Sequence, residues 1–164
     1  MAASTIPKVR RDGTLVLADS GASNSYTVAY EDGDMSFSAE KADRVVIRDR
    51  GTIVGVRSAD DPVLSFSFSV HQRDFTDASN ANIVDVIEQT GSSSSWTSVG
   101  NGTAFAPYML DVTLTIEGTN HGDSADHTAK LSKCILTWDF AEGDPNKISI
   151  KGESFGGLTF TGQS

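Results

Sequence analysis

Pro62–Gln72 reads PVLSFSFSVHQ. Leu64, Phe66, Phe68 and Val70 alternate with Ser65, Ser67 and Ser69. At the two-residue period of a strand this places the apolar side chains on one face and the hydroxyls on the other. Tyr108–Gly118, YMLDVTLTIEG, repeats the rhythm, with Leu110, Val112, Leu114 and Ile116 set against Asp111, Thr113, Thr115 and Glu117. Two such strands specify a sheet with one dry side and one wet side. What the wet side faces is the functional question.

The rest of the chain supplies strands to join them. Thr14–Ala18 (TLVLA) and Tyr26–Tyr30 (YTVAY) read as short strands, preceded by an arm over 1–13 that is basic at Lys8, Arg10 and Arg11. Asp32-Gly33 is a hairpin-type turn signal, followed by Met35 and Phe37 in alternation. Leu131–Phe140 places Cys134, Leu136, Trp138 and Phe140 on one face. Gly143–Asn146 signals a turn, and 147–151 (KISIK) and 158–160 (LTF) read as further strands. One helix is expected over Asn80–Thr90, capped by Ser79 or Asn80, with Ile83, Val84, Val86 and Ile87 as its apolar face and Gly91 just past its end. Trp96, after a Ser-rich connector, reads as a plug into the core. Many short strands with turn signals and a single helix predict a mainly β chain, a β-sandwich or barrel with one flanking α-helix, over 1–164 as one domain.

The segment 38–61 stands apart. Val45-Val46-Ile47 and Thr52-Ile53-Val54 flank the turn Asp49-Arg50-Gly51, an extended β-hairpin with charged residues at its tip and base. Apolar arms of this length need something to pack on. In a monomer the hairpin would fold back over the core; in an assembly it would reach a neighbour.

Composition narrows the function. Acidic residues number 22 against 13 basic, a net charge of −9, a poor balance for gripping phosphate backbones with Lys and Arg. No apolar run approaches a membrane span, and the first residues lack the apolar core of a signal peptide. Cys134, the only cysteine, rules out a disulfide framework and reads as a small core hydrophobe. No phosphate-binding or nucleophile motif occurs. The best chemical cluster is HGDSADH, with His121, Asp123, Asp126 and His127. These types can bind a divalent metal, but the spacing is that of a solvated turn. Trp138 lies on the apolar face of its strand and is expected in the core. No catalytic residue, metal or cofactor is expected.

The order of segments resembles the major tail tube proteins of long-tailed bacteriophages, whose fold is shared with the type VI secretion tube protein. The residues that carry the resemblance are the early strand and hairpin at 30–62, the alternating strand at 62–72, the helix at 79–91 followed by Trp96, and the C-terminal pair at 138–162. The resemblance implies homohexameric rings stacked into a hollow tail tube in the virion. The tube is assembled in the host bacterial cytoplasm and DNA passes through it without specific binding. Sheath, tape measure and terminator or baseplate proteins are its implied partners, with no membrane insertion. It makes Ser65, Ser67, Ser69, Asp111, Thr113, Thr115 and Glu117 the candidates for the lumen. Arg44, Val45, Ile47, Arg48, Asp49, Arg50, Ile53 and Val54 are the candidates for contacts between subunits and rings. The alternative is another β-sandwich virion protein or a carbohydrate-binding or adhesion module, for which exposed aromatics interleaved with Asp and Asn would be the mark.

Overall fold

A computed structural model describes residues 13–28, 35–38, 42–76, 79–100, 105–119, 122 and 124–162. In chain order the elements are β1 (Gly13–Ala18), β2 (Ser25–Thr27), β3 (Ser36–Phe37), β4 (Arg44–Asp49), β5 (Thr52–Ser58), β6 (Leu64–His71), α1 (Ile83–Glu88), β7 (Leu110–Ile116), β8 (His127–Ala141), β9 (Lys147–Ser154) and β10 (Leu158–Thr161). Eight of the ten strands form one antiparallel sheet, ordered β2-β1-β7-β8-β9-β6-β3, with β10 also paired to β8.

The sheet has two halves because β8 is fifteen residues long and serves both. Its first part lies between β7 and β10, with Leu131 opposite both Val112 and Leu158. Its second part pairs with β9, from Cys134 opposite Ser154 to Ala141 opposite Lys147. At the junction the β7–β8 register slips between Leu110 and Val112, and Lys133 takes a left-handed φ of 54°. A bulge bends a strand and strengthens its twist, which lets one strand cross between two layers. Asp111 fastens this bend. Its carboxylate accepts from the Lys133 backbone N–H at 3.1 Å and lies 2.7 Å from Lys130 Nζ.

The inner faces of both halves meet in one core. Leu64, Phe66, Phe68 and Val70 of β6 join Leu15 and Leu17 of β1, Leu110 and Val112 of β7, Leu131 and Cys134 of β8, and Ile148 and Ile150 of β9. Each such side chain is worth roughly 1.5–3 kcal/mol on burial. Cys134 is buried there as expected, and burial pushes its thiol up to about 12. Gly152 is required on β9, since a Cβ there would collide with the Phe66 ring. Helix α1 covers the core with Ile83, Val84, Val86 and Ile87, and Trp96 plugs in beside it.

Several sequence expectations shift. The helix is six residues, not eleven, and its cap is Asn82, whose side chain accepts from the Asp85 N–H at 3.0 Å. Its left-handed end residue is Gln89, while Gly91 lies against the buried Asp85 carboxylate, which Asn82 and Thr90 also hold. The two alternating strands are shorter than the stretches read for them, so Glu117 lies past the end of β7. The β2 strand ends at Thr27, and the following Val28 is buried. Residues 1–12 of the expected arm lie outside the described residues.

Candidate functional site

The hairpin is the first candidate surface. β4 and β5 pair only with each other, closed at the base by Ala59 N–H donating to the Asp43 carbonyl at 2.7 Å. At the tip, Arg50 (φ 46°) and Gly51 (φ 85°) form a two-residue loop between Asp49 and Thr52. Positive φ at both positions is what a tight hairpin loop demands. Val45, Val46, Ile47, Ile53, Val54 and Val56 are 38–60% exposed. Pairing sets Val46 opposite Val56 and Arg48 opposite Ile53, while Val45 and Ile47 point to the other side. Both faces of the ribbon therefore carry apolar groups. The expectation that a lone chain would fold this hairpin back over its core is not met, because none of its residues joins the core cluster.

The candidate lumen residues fall into two groups that the fold keeps apart. Ser65, Ser67 and Ser69 lie on the outer face of the half formed by β3, β6, β9 and the end of β8. One row across it is Ser36, Ser67, Lys151 and Thr137; the next is Ser65, Glu153 and Ile135. The Ser36 and Ser67 hydroxyls are 3.0 Å apart, and Lys151 pairs with Asp139 at 3.4 Å. These rows line an open concavity of about 750 Å³. Thr113 and Thr115 lie on the outer face of the other half. There Thr14, Thr115, Thr128 and Thr161 form one row across four strands. Because the halves share a core between their inner faces, these outer faces point away from each other. Asp111 is occupied by the β8 bend, and Glu117 accepts from the Thr119 hydroxyl at 3.2 Å.

A surface not read from the sequence lies at the far end of β8. Trp138, expected in the core, packs against it while staying half-buried; Phe140, on the same strand face, is 42% exposed. The Phe75 ring sits 6.3 Å from Trp138 and 5.2 Å edge-on from Phe140, and Trp138 Nε1 donates to Glu88 at 2.8 Å.

The histidine cluster does not assemble a site. His121 and Asp123 lie outside the described residues. Asp126 accepts from the backbone of Gly118 and Thr119 and from the Thr119 hydroxyl, which holds its carboxyl below the usual range and closes the turn. Among the described residues no group of three or more His, Cys, Asp or Glu is placed to hold a metal. Among the described residues no helix is long and apolar enough to cross a membrane.

This fold is one found in contractile injection systems. A chain from the sheath–tube complex of the extracellular contractile injection system PVC, in its extended state, matches with a TM-score of 0.61 at 11% identity, over 99% of this chain and 100% of that one. A chain from the PVC sheath/tube terminator matches at 0.62 and 12% identity, over 97% and 99%. A third, from the tube-terminating cap of the anti-feeding prophage, matches at 0.61 and 10% identity, over 99% and 96%. No family model and no curated protein matches the sequence. The likeness is one of fold, over nearly the whole chain.

Proposed function

We propose that this chain is a structural tube subunit, not an enzyme, that assembles with its own copies into six-membered rings stacked as a hollow conduit. The observation that carries this is the hairpin β4–β5, with six valine and isoleucine side chains in solvent on a ribbon that its own core does not cover. Exposed apolar surface of this kind marks an interaction site. The fold likeness to chains of sheath–tube, terminator and baseplate assemblies points the same way.

The proposed channel wall is the half carrying Ser65, Ser67 and Ser69. Its support is edge geometry: β8 from Ile135 to Ala141 has a β-partner on one side only, and β3 ends the sheet at the other, among the described residues. Copies joined edge to edge would close into a barrel and leave no strand edge in solvent. The wall would then be mainly small hydroxyls and charges of both signs around Ile135, with the half-buried Phe37 at its side, which gives passing DNA little to pair with. On this reading Asp111, Thr113, Thr115 and Glu117 face outward, toward a sheath where one is present. Arg44, Val45, Ile47, Arg48, Asp49, Arg50, Ile53 and Val54 make the contacts between subunits and rings. The terminator, baseplate and tape measure proteins are further partners. The particle is a phage-type tail or injection device, built in the bacterial cytoplasm.

Negative-stain electron microscopy of the concentrated protein tests this. Hollow rings or tubes with six-fold symmetry are expected; a monomer at every concentration overturns the reading.

A further inference from the structure

The wall proposed above carries its charges in alternation. On that outer face β6, β9 and β8 share four rows, set two residue steps or about 6.7 Å apart. Taken in order, each row holds one charged side chain: Lys147, Asp139, Lys151 and Glu153. Serine, threonine, alanine, isoleucine and His71 make up the rest. All four charged side chains are exposed, and Lys151 reaches Asp139 in the next row at 3.4 Å. Two lysines against one aspartate and one glutamate sum to zero with histidine neutral, so the chain's net charge of −9 lies entirely outside these rows.

We infer that Lys147 and Lys151 decide what this conduit admits, by cancelling the charge of its wall. A bore lined by one sign of charge focuses its field and concentrates ions of the other sign. Rows of alternating sign cancel one another beyond roughly one row spacing, about 7 Å, which is within the Debye length of about 8 Å at physiological salt. A polyanion in the bore is then neither held by a cationic wall nor turned away by an anionic one. Each lysine stands one row from a carboxylate: Lys147 beside the Asp139 row, Lys151 between the rows of Asp139 and Glu153. Without them each copy would present Asp139 and Glu153 alone, and the acidic character of the rest of the chain would extend into the bore. This rests on the wall assignment above and adds the residues that set its selectivity.

Paired thiol probes in the full chain test it. Ser65→Cys places a thiol in the Glu153 row and Ser67→Cys places one in the Lys151 row, while the one native thiol, Cys134, is buried. Each variant is modified by a cationic and by an anionic methanethiosulfonate, and the ratio of the two rates is referred to that of the neutral thiol 2-mercaptoethanol. The ratio reports the local potential, because the reactivity of the thiol itself cancels. In the dilute chain the two ratios should lie within about threefold of the reference and on opposite sides of it, with Ser65→Cys favouring the cationic reagent. Adding Lys147→Gln with Lys151→Gln should move both ratios toward the cationic reagent by roughly fivefold. Both thiols should stay reactive in assemblies pelleted by ultracentrifugation. If both positions favour the cationic reagent with the lysines present, or the lysine changes leave either ratio where it was, this inference falls while the assembly reading stands. If the thiols are shielded in the assemblies, this face is a contact, and the wall assignment falls together with the inference. If the chain assembles under no condition, the assembly reading falls and the conduit with it.

Discussion

The hairpin β4–β5 and the strand β6 are neighbours in sequence, separated by five residues, and draw on the same classes of side chain. Their fates differ. Leu64, Phe66, Phe68 and Val70 are 3–7% exposed, while Val45, Val46, Ile47, Ile53, Val54 and Val56 are 38–60% exposed. The difference lies in the arrangement of apolar groups. β6 confines its large residues to one face and lets serine take the other, so one layer of its own chain completes it. The hairpin is apolar on both faces and belongs to no layer. A two-stranded ribbon alone is marginal in water. Its sequence is therefore suited to a surface that the chain does not itself provide.

Breaking β6 should have the largest effect. Phe68→Ala removes a ring from the centre of the core and should cost about 3–5 kcal/mol in urea unfolding. Gly152→Ala sharpens the point from the opposite side, because its methyl would press on the Phe66 ring; roughly 1–3 kcal/mol of overpacking loss is expected in the same assay. Next comes Asp19, which accepts hydrogen bonds from Asn24 and Thr97 between β1 and the segment after α1. Burial pushes its carboxyl up, but these hydrogen bonds outweigh that and leave it below the ordinary value. A depressed carboxyl stabilises the fold above the unfolded-state pKa, near 4, and that stabilisation is lost as the pH falls through the folded value. Asp19→Asn should flatten this acid limb of the stability curve and cost about 1–3 kcal/mol at neutral pH, since a donor would replace an acceptor facing donors. The smallest effect on stability belongs to the hairpin. Ile53→Ala should stay within about 0.5 kcal/mol of wild type while reducing pelletable assembly, the reverse of Phe68→Ala, which unfolds the chain that assembles.

Much of the fold was legible because alternation is a local signal. Leu64–Val70 and Leu110–Ile116 announced their faces, and the strands read at 147–151 and 158–160 from short apolar runs between turns extend in the structure to Ser154 and Thr161. The bend in β8 was not legible. It depends on Lys133 holding a left-handed φ that no glycine advertises, and on Asp111, which reads as one more polar residue of a wet face. The helix start was misplaced because Ser79, Asn80 and Asn82 are all competent caps, and the buried Asp85, which bonds the Asn82 side chain through both its N–H and its carboxylate, fixes the last of them. Of the candidate site, the hairpin's strands and tip could be read directly. Its exposure could not, since periodicity says that a face is apolar and not whose surface covers it. Phe140 shows the same limit: it shares the strand face of Trp138, which packs against the core, yet is 42% exposed.

The central claim is that the hairpin's missing layer is another copy of the chain. Replacing Arg44–Ser58 with a short Gly-Ser linker tests it most directly, because Asp43 and Ala59 already lie within hydrogen-bond distance. Sedimentation velocity over a concentration series should find wild type forming large, concentration-dependent particles. The variant should remain a monomer with an unchanged melting temperature. Assembly of the variant equal to wild type would contradict the account.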